Sequence, residues 1–466
     1  MRFAAIWTIS ELHAVFAAAL VAVSCTVSAS GVETVAGALT KAQASDGRYI
    51  SWKEHLIDDD DILSGSDGLS MADLDQDGFL DIVSVHESDT TYDGVADGHV
   101  RIAFGSADPD IWELVTLAEG EEAGAAEDVA IGDMNGDGFP DIVVACELAH
   151  LIYFQNPAGN VRTARWERVI PRIATDRGSF IRVFLGDFNG DGRLSVVAPN
   201  KGSQAGRADE PENAISWFEI PEDPLDGDGW VEHELARVRV PINAMPIDLD
   251  GDGDLDILGG SRGEPRVFWF ENTGHPEELF VEHPMSDDGV SGFNVDFADL
   301  SGDGLLDVVL AQSFQHLVWL EAPGWQLRRI GTIEPDQLVG LVVADINGDG
   351  AADVLVGGYS RGPRDVDGDV TADDPLGRLA WFENPTSPGG NWTRHDISRR
   401  KRGMYDKFIP RDMDGDGDVD FVSTRGNSVP NDGVFWLEQV RSDEPLPAFE
   451  AARDSDSEQM PLPSSH

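Results

Sequence analysis

Only two cysteines, Cys25 and Cys146, occur in 466 residues, too few for a disulfide framework. Cations are scarce as well: 33 Lys and Arg stand against 86 Asp and Glu, a formal charge of −53. That balance excludes binding a nucleic-acid backbone or an anionic membrane surface through net charge. Beyond the N-terminal leader no run is apolar enough to span a bilayer. There is no G-x-S-x-G elbow, no H-E-x-x-H pair and no Gly-rich phosphate loop. What the chain does have is Gly, Asp, Val, Trp and Phe, a balance that favours β structure with many turns.

The two ends differ from the middle. Residues 1–29 carry an early Arg2, an apolar stretch and small residues up to Ala29, and read as a secretory signal peptide. An uncleaved anchor and acylation at Cys25 are the other readings. Residues 441–466 are polar and rich in Pro and Ser, and are expected to be a disordered tail.

Between them one pattern returns seven times at intervals of about 46 to 67 residues. Acidic loops begin at Asp73, Asp133, Asp187, Asp248, Asp299, Asp345 and Asp412. Each lies between apolar, β-branched runs such as "LDIVSV", "PDIVVA" and "ADVLVG" that read as strands. A second motif follows ("IYFQNP", "SWFEIP", "FWFENT", "AWFENP"), and then a third ("WERVI", "WVEHEL", "FVEHPM", "WTRHDI"). Each module therefore supplies four strands, A to D, with the acidic loop joining A to B. Such a unit cannot bury both of its faces alone, and radial stacking into a seven-bladed β-propeller removes the problem. The last module lacks a D strand, and "WKEHLI" at Trp52–Ile57 is the spare copy that closes the ring. The domain is expected over residues 48–440.

The loops follow D-x-[DNS]-x-D-G-x-x-D. Oxygens at positions 1, 3 and 5 converge because Gly at position 6 allows a sharp turn. A carbonyl at position 7 and a carboxylate at position 9 complete an oxygen cage suited to Ca²⁺. The candidate ligands are Asp73, Asp75, Asp77 and Asp81 in loop one, and Asp133, Asn135, Asp137 and Asp141 in loop two. Loop three offers Asp187, Asn189 and Asp191, with Ser195 at position 9. Loop four offers Asp248, Asp250, Asp252 and Asp256, and loop five Asp299, Ser301, Asp303 and Asp307. Loop six has Asp345, Asn347, Asp349 and Asp353; loop seven has Asp412, Asp414, Asp416 and Asp420. Loops one, four and seven, each with four carboxylates, are expected to bind most tightly and loops three and five most weakly. Up to seven Ca²⁺ are implied.

These loops and strands resemble the FG-GAP or VCBS-type repeat of the integrin α-chain head and of many bacterial secreted proteins. The likeness covers Tyr49 to Val440. The "WFENP"-like strand also resembles a bacterial subset and the propeller of fungal aldos-2-ulose dehydratases. The resemblance implies a calcium-stabilised seven-bladed propeller, with metal loops on one face and partners bound on the other.

The face opposite the acidic loops gathers many of the few cations. Lys201, Arg262, Arg361, Arg402 and Arg425 are candidates to bind an acidic ligand there. Two functions stay open. One is a secreted, cell-surface or periplasmic monomer that binds an extracellular protein or anionic polysaccharide. The other is a carbohydrate lyase or dehydratase using His86, His99, Tyr92, Tyr359 or Tyr405 as acid and base. His233, His283 and His395 belong to the repeat and are expected to be structural. No catalytic residue is assignable from spacing.

Overall fold

The computed structural model describes residues 33–464 except 60–63, 89–95, 149, 163–164, 205, 208, 287, 361–368 and 386–388. The leader, Tyr92 and Arg361 lie outside the described residues. Among those described, two short 3-10 turns are the only helical elements, and the strands form seven sheets, antiparallel apart from one added edge strand.

Blade one shows how the motif is laid out. Strand A is Ser66–Ala72, B is Asp81–His86, C is His99–Phe104 and D is Glu113–Glu119, paired in that order. Blades two to six repeat the order, their A strands being Ala126–Gly132, Phe184–Gly186, Pro241–Ile247, Val290–Ala298 and Gln337–Ala344. Blade seven is built from Phe408–Arg411, Asp420–Arg425 and Gly433–Ser442, with Tyr49–Asp58 as its fourth strand. Successive A strands touch around the ring, and Ser66–Ala72 meets the B strand of blade seven. The result is the expected seven-bladed β-propeller.

The core lies between sheets. One apolar cluster joins Val83 and Ile102 of blade one to Ile142, Phe154 and Trp166 of blade two; another joins Trp52, Phe421 and Phe435 to Trp381 of blade six. Cys146 is buried within the first cluster, as its apolar surroundings in the sequence suggest. Along the outer edge the C-strand Trp and D-strand His stack: Trp217 on His233 at 4.1 Å, Trp269 on His283 at 5.0 Å and Trp381 on His395 at 4.4 Å. Each His also meets the Glu two residues after its Trp, namely Glu219, Glu271 and Glu383. These histidines are structural.

The closing strand obeys the same rule. His55 pairs across from Trp436, stacks on it at 4.1 Å and reaches Glu438 at 2.7 Å.

The C-terminal segment departs from expectation. Rather than being disordered, Phe449–Glu450 adds a parallel fifth strand outside Tyr49–Asp58, and Phe449 enters the core beside Trp52. The reason is a short apolar island, Ala448 and Phe449, inside an otherwise polar stretch.

Candidate functional site

All seven acidic loops share one backbone fold. The position-1 Asp accepts the amide of the position-6 Gly in every loop, at 2.8–3.2 Å. Those glycines have φ between 84° and 100°, which is why a side chain is not tolerated there. In loops one, four and seven the carboxylates at positions 1, 3 and 9 lie within 4.8 Å of one another: Asp73, Asp75, Asp81; Asp248, Asp250, Asp256; Asp412, Asp414, Asp420. These are the loops with four carboxylates, and hard oxygen donors so placed fit Ca²⁺.

Position 9 has a second task. In six loops its carboxylate accepts one amide from loop position 2 and another from the end of strand C, at 2.7–3.1 Å. Burial pushes Asp81, Asp141 and Asp256 up to about 6, and Asp353 and Asp420 to about 7, because a charge loses its hydration there. Loop three, with Ser195, lacks this tie, and its A strand, Phe184–Gly186, is three residues long. The "N" of the "WFEN" motif adds a bond between blades: Asn156 Nδ2 donates to Leu74 O at 2.9 Å and Asn272 Nδ2 to Phe188 O at 2.8 Å.

Two arginines intrude on the cages. Arg162 contacts Asp75 at 2.7 Å and Asp77 at 2.8 Å, and Arg193 contacts Asp191 at 3.0 Å.

At the opposite end of the A strands the charges turn inward. Asp67, Glu87 and Glu127 are buried with carboxylate oxygens within 4.8 Å. Lys201 is buried too, contacts Glu147, and supplies counter-charge. Burial first, then the nearby Glu87, raises Glu127 to about 7; burial also lowers Lys201 to about 8. Across the axis Arg182 donates to Asp406 at 2.8 Å and to Asn294 Oδ1 at 3.1 Å, and Asn294 Nδ2 donates to Asp406 at 2.7 Å. These residues come from blades three, five and seven, so the axis is bridged at this level. The sequence reading missed this cluster. Its signal was an acidic pair inside an apolar A strand, Glu127–Asp128 in "GAAEDVAIG", since buried carboxylates demand partners.

Four of the five candidate basic residues are among those described, and each has close neighbours. Lys201 and Arg262 both border Gly206. Arg402 and Arg425 instead meet the C-terminal segment: Ser457 Oγ accepts the Arg402 amide at 2.9 Å, and Arg425 forks onto Asp456 at 2.6 and 2.9 Å. Of the acid–base candidates, His86 is fully buried between Ser66 Oγ (2.9 Å) and Ser84 Oγ (3.0 Å), and burial lowers it to about 3. Tyr405 is a core residue whose hydroxyl accepts from Arg400 at 3.2 Å. His99 Nδ1 meets Ser88 Oγ at 3.0 Å. His99 pairs across from His86 on neighbouring strands, and Tyr359 bridges to Met404 beside Tyr405.

Fold and loops together define a repeat β-propeller with an acidic turn at each A–B hairpin. Comparison with known families carries this further: residues 73–144, 133–198 and 248–310 match the FG-GAP-like repeat. The chain is thus a seven-bladed β-propeller that carries FG-GAP-like repeats. It is 28% identical over 255 residues to protein linkin of Caenorhabditis elegans, an overlap of 49% of this chain and 40% of linkin. The matched part thus spans two fifths of that relative's length. Among solved structures, BBS1N in complex with ARL6DN, soaked with mercury, superposes with a TM-score of 0.46 at 9% identity, covering 86% of this chain and 98% of that one. A lead-soaked crystal of the same complex gives 0.46 at 10% identity, over 88% and 99%. No helix among the described residues is long and apolar enough to cross a membrane.

Proposed function

We propose that this protein is an exported, calcium-stabilised binding module for a protein ligand, held at the face away from the acidic loops. The observation that carries the calcium reading is the recurrence of three converging carboxylates in register-equivalent loops of blades one, four and seven. Like charges so close repel one another unless a cation or a proton neutralises them. Calcium at extracellular, millimolar levels fills even weak sites of this type. The ion's task is structural: it neutralises the hairpin tips and fixes the A–B turns, while the rigid ring presents its long B–C and D–A loops. A protein ligand is favoured over an anionic polysaccharide because the face offers paired rather than free cations: Arg177 with Glu232, Arg239 with Glu264, Arg399 with Asp336 and Arg425 with Asp456.

Thermal melting with calcium and with chelator tests this reading. Ligand at about a hundred times its Kd stabilises by about 2.7 kcal/mol per site, so calcium is expected to raise Tm by several degrees. An unchanged Tm after verified metal removal would refute the metal role. Cross-linking capture from an extracellular fraction, compared with and without calcium, tests the binding role.

A further inference from the structure

The arginine-rich turn after blade six already holds a ligand, and that ligand is the chain's own tail. Residues 456–460 lie against Arg399–Arg402 and Arg425. Arg425 grips both oxygens of Asp456, and Arg400 adds a contact at 3.3 Å. Two residues on, Glu458 meets Lys401 Nζ at 2.5 Å. The backbones also pair: the Lys401 amide donates to Glu458 O at 3.0 Å and the Met460 amide to Arg399 O at 2.7 Å. The backbones meet in a single antiparallel bridge, Arg400 to Gln459, at the end of the blade-six D strand, Thr393–Arg400, with the two carboxylates held on the N-terminal side of Gln459.

We propose that this surface is a recognition site for a short acidic segment of a partner protein, and that residues 456–460 occupy it in cis as a displaceable stand-in. The tail's anchor lies elsewhere, at Phe449 in the core. Beyond that anchor the contact is mostly polar and charged, with Ser457 and Met460 as its buried residues between 456 and 460, so it opens without exposing much apolar surface. A tethered occupant acts at an effective concentration in the millimolar range, which a partner segment of higher affinity overcomes. The charges single out an Asp-x-Glu spacing: a guanidinium fork for the first carboxylate and an ammonium for the second.

The test uses the full chain and a labelled synthetic peptide of residues 453–464, RDSDSEQMPLPS. By fluorescence polarisation the peptide is expected to bind the full-length D456N/E458Q variant at least about tenfold more tightly than the unmodified chain. Rising salt is expected to weaken that binding, and adding R425A to return it to the unmodified level. Equal binding by the unmodified chain and a folded D456N/E458Q variant would overturn the proposal. Hydrogen exchange on the unmodified chain gives a readout that needs no variant. The Met460 amide should exchange at least about a hundredfold faster than that of Val422 in the blade-seven B strand, as a locally opening segment does; equal protection would overturn the idea. Neither readout involves calcium or an outside partner, so failure here and failure of the calcium-loop reading are separable.

Discussion

Arg162, on the turn between strands C and D of blade two, reaches across to blade one and holds Asp75 and Asp77. Its guanidinium stands beside the first cage, where a cation must compete with it. R162A is therefore expected to tighten calcium binding at loop one, seen by titration calorimetry as one site per chain moving to higher affinity; unchanged affinities would show that the arginine and the ion do not compete. Two carboxylates of loop six, at positions 9 and 5, make a contrasting pair. Asp353 is buried and accepts the amides of Ile346, Asn347 and Asn384. D353A leaves those donors unsatisfied, at about 1–3 kcal/mol each where buried, and is expected to lower stability even in chelator. Asp349 is exposed, so D349N is expected to lower Tm only when calcium is present. Chemical denaturation of both variants with and without chelator separates the two roles.

The strand Tyr49–Asp58 completes blade seven over ten residues and buries Trp52. Loss of a buried Trp side chain alone costs about 3–5 kcal/mol. Deleting residues 49–58 is thus expected to abolish cooperative melting, and normal melting of that deletion would refute closure. This element was readable from sequence because "WKEHLI" repeats a motif whose partner strand was missing at the other end. Strand identity, loop spacing and the position-6 Gly were equally legible, since each follows from local periodicity or backbone geometry. Partnerships between distant residues were not. The double duty of position 9, the Arg162 contact and the tail over Arg425 depend on neighbours up to 87 residues away. The tail was misjudged because its composition is polar overall, whereas two residues, Ala448 and Phe449, decide its placement.

At the scale of the whole ring, charge is distributed in layers: exposed acid at the hairpin tips, apolar contacts between sheets, and compensated ion pairs at the far end of the axis. Arg182, Asn294 and Asp406 tie three blades that are not neighbours in sequence. R182A strands a buried Asp406, and breaking a buried pair on one side costs about 3–5 kcal/mol. Urea denaturation is expected to report a loss of that size in one transition; a loss confined to one part of the ring would mean that the blades do not share this link.

The same closure has a consequence for how the molecule is made. The strand Tyr49–Asp58 leaves the ribosome long before its partner, Gly433–Ser442. At about 5–20 residues per second, that interval is on the order of 20 to 80 seconds. During synthesis a strand carrying Trp52 and Ile57 waits without a mate, which makes nascent chains, rather than the finished ring, the species that chaperones must shield.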